Sequence, residues 1–83
     1  MQVNITQRAI IALQKADGEL KKRLDGILRT LEAGSDLPSE QVRMSHSRPG
    51  VFVVKINDYR LFFQRGKDAI QVLDIVPRSE AYQ

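Results

Sequence analysis

The spacing of apolar residues changes once along this chain, from a helical period to a period of two. The helical stretch is an apolar stripe with intervals of three and four residues, made of Leu20, Leu24, Ile27, Leu28 and Leu31. After residue 41 apolar residues alternate with others, and the β-rich runs cover 51–56, 59–64 and 69–76. Helices that precede a run of strands, instead of alternating with them, predict an α+β fold of two layers.

Residues that start and stop helices mark the boundaries of the elements. Thr6 and Asp17 are suited to cap two helices at their N-termini, and Gly34 is suited to end the second helix. A short strand is predicted before the helices at Val3, and another after them at Val42. The expected order is β-α-α-β-β-β-β, with a helical hairpin packed on one face of a small antiparallel sheet.

The register of the last strand stays open. The loop at 65–69 has four or five residues, and a change of one residue turns every following side chain to the other face of the sheet. The sequence therefore leaves the face of Asp74 undetermined.

The length and the absence of cysteine limit the possible class of protein. With 83 residues and no cysteine, the chain is expected to form one domain, residues 1–83, without disulfides. A cysteine nucleophile and thiolate metal sites are excluded, and no motif predicts a metal or a cofactor. No apolar run approaches the roughly 18–20 residues that a membrane-crossing helix needs. A cytoplasmic location without membrane contact is therefore expected.

The positive charge of the chain is concentrated in its second half. Residues 1–41 carry six Lys or Arg and six Asp or Glu, whereas residues 42–83 carry seven and four, so the formal net charge of +3 belongs to residues 42–83. Such an excess favours an anionic partner such as a nucleic acid, although many small domains are mildly basic. Within this half, Arg43, Arg48 and Lys55 are candidate RNA-binding residues.

A two-residue turn at Asn57 and Asp58 would determine the register of the central hairpin, with Lys55 directly opposite Arg60. One face of the hairpin is then apolar and is predicted to pack under the helices: Phe52, Val54, Ile56, Tyr59, Leu61 and Phe63. Two like charges side by side are tolerated where they bind an anion, or where water screens them at an exposed turn. Phe62, on the same face as the charged pair, is a candidate for stacking on an RNA base.

Two segments resemble signature motifs of the RelE/ParE superfamily of bacterial and archaeal toxins. They are residues 58–64 (DYRLFFQ) and residues 74–82 (DIVPRSEAY). The helical hairpin, the loop that contains Leu37 and Pro38, and the order of the strands are similar to that superfamily as well. The resemblance implies a fold like that of microbial ribonucleases, and it favours the RelE-type endoribonucleases over the gyrase-directed ParE branch.

RelE-type toxins, as the resemblance implies, bind the A site of the 70S ribosome and cut mRNA there through attack of a 2′-OH on the scissile phosphate. The implied partners are the mRNA, the ribosome and a cognate antitoxin that wraps the toxin. Operator DNA is contacted only through the antitoxin.

Four residues match catalytic positions of this family. Arg60 matches the arginine that contacts the scissile phosphate, and Lys55 matches a basic residue of the preceding strand. Arg78 and Tyr82 match the arginine and the tyrosine of the closing motif. Two further basic positions of the family are occupied by valines here, Val53 and Val76. The set therefore has two fewer positive charges than that of the best-equipped relatives.

The general base that accepts the 2′ proton is not determined by these matches. Tyr82 and Lys55 are the first candidates, and Glu80 is a third. His46, the single histidine, lies in a turn and is interpreted as structural. A site without a well-placed acid and base would depend on the ribosome to orient the mRNA.

Two other functions fit the same residues. The first is a ParE-like inhibitor of DNA gyrase, which binds its target without chemistry of its own. The second is a catalytically weak toxin homologue that acts mainly in a complex with its antitoxin. Toxicity that depends on Arg60 and Tyr82 would favour the endoribonuclease over both.

Overall fold

The computed structural model describes residues 1–81, which form five strands and three α-helices. In chain order these are β1 (Gln2–Ile5), α1 (Gln7–Lys15), α2 (Gly18–Glu32), β2 (Val42–Met44), β3 (Val51–Ile56), β4 (Tyr59–Arg65), β5 (Ala69–Pro77) and α3 (Arg78–Ala81). A 3-10 turn at Ser39–Gln41 lies within the connection between α2 and β2. Within these residues no helix combines the length and the apolarity that a bilayer crossing requires.

The two long helices begin and end where the sequence predicts. The Thr6 hydroxyl accepts a hydrogen bond from the backbone N–H of Ala9, and the Asp17 carboxylate accepts one from Leu20 at 2.9 Å. Both side chains thus satisfy N–H groups that a helix start leaves without a partner. Gly34 ends α2 with a φ of +75°, a conformation that glycine adopts without steric cost.

The five strands form one sheet in the order β1-β5-β4-β3-β2. Strands β2 to β5 make the expected antiparallel meander, whereas β1 lies at the edge and runs parallel to β5, with Ile5 paired to Val72. The predicted α+β fold with helices on one face is confirmed, and the sheet is mixed instead of purely antiparallel. A parallel pair needs a long connection, and the chain between β1 and β5 contains both long helices and three strands.

The register of the central hairpin agrees with the prediction. Ile56 pairs with Tyr59 and Lys55 with Arg60, and Asn57 occupies the turn with a φ of +52°. Asparagine tolerates this left-handed conformation better than most residues.

Each face of the sheet carries apolar side chains. The face under α1 and α2 holds the main core, in which Leu24, Leu31, Val54, Leu61, Phe63 and Val72 are buried. The opposite face, which we call the outer face, has a second apolar cluster of Val51, Val53 and Phe62, against which Leu73, Val76 and Ala81 pack. The short helix α3 thus contributes to the outer face through Ala81.

A bulge in β5 decides which side chains reach the outer face. Phe62 pairs with Asp74 while the next residue, Phe63, pairs with Val72, so Leu73 is an extra residue. Because Phe62 points to the outer face, its partner Asp74 does so too.

Candidate nucleic-acid interface

One row of cross-strand neighbours crosses the outer face. Arg43 of β2 pairs with Val53, Val53 pairs with Phe62, and Phe62 pairs with Asp74. Strands in a sheet lie about 4.8 Å apart, so the row spans roughly 14 Å between its two ends. The cationic Arg43 therefore lies at one end of the row and the carboxylate of Asp74 at the other. The apolar side chains of Val53 and Phe62 lie between them and form the floor of the site.

A cleft of about 260 Å³ opens at the cationic end of this row. We call it the arginine cleft; its walls include Arg43, His46, Arg48, Val53, Phe62 and Ala81. The guanidinium carbon of Arg48 lies 5.5 Å from the centre of the Phe62 ring. This distance is within the range of a cation–π contact, which holds the guanidinium near Phe62 in the cleft.

The connection between β2 and β3 places Arg48 in this position. The Ser45 hydroxyl accepts a hydrogen bond from the backbone N–H of Arg48 at 3.2 Å, and the N–H of Ser45 donates to Val51. Pro49 restricts the backbone of the residue before it, and Gly50 adopts a φ of +79°. Together these contacts hold the connection as a closed turn that directs Arg48 back over the sheet.

A second cleft, of about 360 Å³, lies on the other side of Arg48 and Phe62. We call it the carboxylate cleft; it is lined by Arg8, Arg48, Phe62, Asp74, Val76, Glu80 and Ala81. Arg8 donates toward the Asp74 carboxylate across 3.3 Å. The two clefts share Arg48, Phe62 and Ala81, so they are adjacent, and both cations and carboxylates line them.

Lys55 and Arg60 are cross-strand neighbours as predicted, but only Lys55 is exposed. Arg60 is 5% exposed, and its Nη1 donates to the backbone carbonyls of Asn57 at 3.0 Å and Tyr59 at 2.8 Å. These two carbonyl oxygens take up part of the positive charge of the guanidinium. The juxtaposition of like charges therefore has a structural explanation that needs no bound anion.

We expect Arg60→Ala to destabilise the protein and Lys55→Ala to leave its stability unchanged or slightly higher. Loss of Arg60 removes two hydrogen bonds from a charged donor to carbonyl groups at the turn, at a cost of about 1–3 kcal/mol. Loss of Lys55 removes only an exposed like charge, and surface substitutions of this kind usually stay within about 0.5 kcal/mol. Urea unfolding of the two variants, followed by circular dichroism, measures the difference. Equal stability of the two would contradict the structural role of Arg60.

The structure separates some of the residues that the sequence grouped into one site. It brings Arg43, Arg48 and Phe62 together in the arginine cleft, where Phe62 is 7% exposed and lies under Arg48. Lys55 is on the wall of a different cleft of about 210 Å³, beside α2.

The remaining predicted residues belong to the C-terminal motif. Arg78 is exposed at the hairpin end of the sheet, where it lines a cleft with Asp58. Its backbone N–H donates to the Asp58 carbonyl at 2.6 Å. Tyr82 lies outside the described residues. The roles of Lys55, Arg60, Arg78 and Tyr82 in chemistry stay predictions.

Residues to which the sequence analysis assigned no part in the reaction also line these clefts, among them His46 and Asp74. His46 is on the wall of the arginine cleft, and Asp74 is on the wall of the carboxylate cleft. The position of His46 between Arg43 and Arg48 in the sequence was a usable signal, because the three residues share one short connection. For Asp74 no local signal existed, since its face depends on the bulge at Leu73.

Residues 3–82 match the sequence model of a protein family described as the ParE toxin of the type II toxin–antitoxin system, parDE. The match covers nearly the whole chain. No curated protein sequence matches the chain significantly.

Solved structures with the same fold come from archaea and bacteria. A chain of the RelB–RelE antitoxin–toxin complex from Methanococcus jannaschii is 14% identical with a TM-score of 0.80, and the match covers 95% of this chain and 94% of that one. A chain of the archaeal RelE–RelB complex from Pyrococcus horikoshii OT3 is 20% identical with a TM-score of 0.79, covering 96% and 97%. The isolated E. coli RelE toxin is 22% identical with a TM-score of 0.70, covering 98% and 89%. Because the sequence identities are this low, the structural similarity shows a common fold and nothing further.

Proposed function

Because this chain belongs to the RelE/ParE family of toxins of type II toxin–antitoxin systems, we propose that it is a ribosome-dependent endoribonuclease that cuts mRNA in the A site. The observation that carries the proposal is the position of the Arg48 guanidinium over Phe62, in a cleft that Arg43 and His46 also line. A fixed guanidinium beside a second arginine and an imidazole suits the cleavage of a phosphodiester.

The arginines supply the positive charge that a phosphate needs. A guanidinium donates two parallel hydrogen bonds to the oxygens of one phosphate, and these bonds strengthen as negative charge develops in the transition state. Phe62 is nearly buried, so its role in the proposal is to orient Arg48 rather than to stack directly on a base. A base of the RNA stacks instead on the outer plane of a guanidinium, as unpaired bases do in other RNA-binding proteins.

The reaction itself needs few groups. The 2′-OH attacks the adjacent phosphorus in line, and the products are a 2′,3′-cyclic phosphate and a 5′-OH. We propose His46 as the donor of the proton to the leaving 5′ oxygen, because its imidazole lines the arginine cleft and histidine is the side chain most often used as a general acid. The ribosome orients the mRNA for the in-line attack, a contribution that can be as large as the chemistry of the side chains.

A cognate antitoxin is the proposed protein partner, and operator DNA is contacted only through it. Two of the similar structures are antitoxin–toxin complexes, which supports this part of the proposal. Neutralisation would follow if the antitoxin covered the arginine cleft.

Inhibition of DNA gyrase is a second candidate function. Two observations favour it: the matching family model describes the ParE toxin, and Lys55 and Arg78 line clefts other than the one with Arg48. A toxin that only binds its target needs no converging catalytic set. The third candidate is a catalytically weak homologue that serves mainly as the partner of its antitoxin.

We expect the purified protein to cut mRNA at the A-site codon of programmed ribosomes and to leave the same RNA intact without ribosomes. Primer extension locates the cuts, and the 5′-OH end of the downstream product identifies the chemistry. A gyrase supercoiling assay with the same preparation is the parallel measurement. Intact mRNA together with inhibited supercoiling would replace the proposed function by the second candidate, and no effect in either assay would favour the third.

A further inference from the structure

The bulge in β5 turns the carboxylate of Asp74 toward the outer face of the sheet. Regular alternation would turn the same carboxylate toward the core. Without an extra residue, Leu73 would pair with Phe62, and Asp74 would point toward the helices together with Leu61. A charged group there would be costly, since that face is the main core. With the bulge, Asp74 instead lines the carboxylate cleft.

The start of α1 holds the bulge in place. The backbone N–H of Thr6 donates to the Val72 carbonyl at 3.0 Å, and the Thr6 hydroxyl donates to the Leu73 carbonyl at 2.6 Å. Arg8, two residues further along the chain, lies 3.3 Å from Oδ2 of Asp74, while Oδ1 accepts a hydrogen bond from the N–H of Ile75 at 2.9 Å. The Asp74 carboxylate, 15% exposed, is therefore held in one orientation at the wall of an open cleft.

Resting on the proposed function, we propose that Asp74 is the general base of the reaction, which accepts the proton of the attacking 2′-OH. In-line attack requires the base and the acid on opposite sides of the phosphorus. Asp74 lines one cleft and His46 the other, and Arg48, the proposed phosphate ligand, lines both. The two adjacent clefts therefore have a carboxylate, a guanidinium and an imidazole among the groups that line them.

The proposed step balances as follows. The 2′-OH gives its proton to an oxygen of the Asp74 carboxylate while the O2′–P bond forms and the P–O5′ bond breaks. The leaving 5′ oxygen takes a proton from the imidazolium of His46. Afterwards the carboxylic acid returns its proton to water, and the imidazole takes one up. No oxidant, reductant or further reactant takes part.

Glu80 is the second carboxylate of the same cleft and the competing candidate for the base. Its side chain belongs to an exposed residue of α3, whereas Asp74 is held by Ile75 and Arg8. A base must be positioned within hydrogen-bond reach of the proton that it takes, which favours the held carboxylate.

The test compares Asp74→Asn with Glu80→Gln, the competing carboxylate, and with Asp25→Asn, a control on α2. Each variant removes one negative charge without changing the size of the side chain. We expect Asp74→Asn to cut ribosome-bound mRNA about 100-fold more slowly than the wild type, as general bases contribute about 10²–10⁴-fold. Binding to programmed ribosomes and the urea midpoint should stay unchanged. Asp25→Asn, which removes an exposed carboxylate of α2, should cut at the wild-type rate. A slow Glu80→Gln beside a fully active Asp74→Asn would assign the base to Glu80 and overturn the proposal. If Asp74→Asn does not fold, Asp74→Ser is used in its place, because serine also lacks the carboxylate.

An mRNA whose scissile linkage carries sulfur in place of the bridging 5′ oxygen separates the base from the acid. Its leaving group departs without a proton, so the defect of His46→Ala should shrink while that of Asp74→Asn persists. If Asp74→Asn cuts at the wild-type rate, or its defect disappears with the sulfur substrate, Asp74 is not the base. A wild-type protein that makes no cut overturns the proposed function itself.

Discussion

Replacing Phe63 with alanine is expected to lower the free energy of unfolding by about 3–5 kcal/mol, the usual cost of truncating a buried phenylalanine. Phe63 is 1% exposed, and its ring stacks on Phe52 with the centres 5.3 Å apart. Arg65 lies over the same ring, with its guanidinium carbon 5.7 Å from the centre. Since small domains are stable by only about 5–15 kcal/mol, this one change removes much of the total.

Met44→Ala is the matched control for Phe63→Ala. Met44 pairs with Phe52, which in turn pairs with Phe63, so all three belong to one cross-strand row. Met44 is 62% exposed, and we expect its loss to change stability by no more than about 0.5 kcal/mol. The free energy of unfolding is measured as a function of urea concentration for the wild type and both variants, and the slope of this dependence is compared among them. A loss below 1 kcal/mol for Phe63→Ala would mean that the core does not lie where the structure puts it.

Replacing Arg48 with alanine is expected to slow the cleavage of ribosome-bound mRNA by about 10²–10³-fold, equivalent to roughly 3–4 kcal/mol of transition-state stabilisation. Arg48 is the one proposed phosphate ligand that lines both clefts, and Phe62 fixes its guanidinium. Stability should change little, because Arg48 is exposed. Single-turnover cleavage in programmed ribosomes, with toxin in excess, measures the effect on the chemical step.

Two variants control for charge and for geometry. Arg29→Ala removes the same charge from the exposed side of α2 and should leave cleavage unchanged. Arg48→Lys keeps the charge but loses the planar fork, so its rate should lie between those of the wild type and Arg48→Ala. Full activity of Arg48→Ala would exclude the arginine cleft as the site of cleavage, and equal losses in Arg48→Ala and Arg29→Ala would point to a general effect of charge.

The helices and the central hairpin could be predicted because each depends on residues close together in the chain. Asp17 caps α2 through a hydrogen bond to Leu20, three residues away, and Gly34 ends it in the conformation that glycine favours. The pairing of Lys55 with Arg60 follows from a turn of two residues. The correct register in turn places the apolar face of the hairpin under the helices.

The candidate site was predicted only in part, because it assembles from distant segments. Arg48 and Phe62 meet through the turn before β3, and Arg8 reaches Asp74 from the other end of the chain. The alternation of side chains along β4 predicted which face of the sheet Arg60 occupies. It did not predict that the guanidinium would donate to two backbone carbonyls. The sequence therefore grouped Lys55, Arg60 and Arg78, whereas the structure places Arg43, Arg48 and Phe62 around one cleft.

The sequence by itself determined the α+β class, the caps of the helices, the hairpin and the concentration of positive charge in residues 42–83. Local backbone preferences and the period of the apolar residues are sufficient for these features. Only the tertiary structure decided that β1 runs parallel to β5, that an extra residue at Leu73 turns Asp74 outward, and that Arg60 is buried. These features depend on which distant backbone groups find hydrogen-bond partners, as Thr6 does at Val72 and Leu73, and no short segment encodes such a pairing.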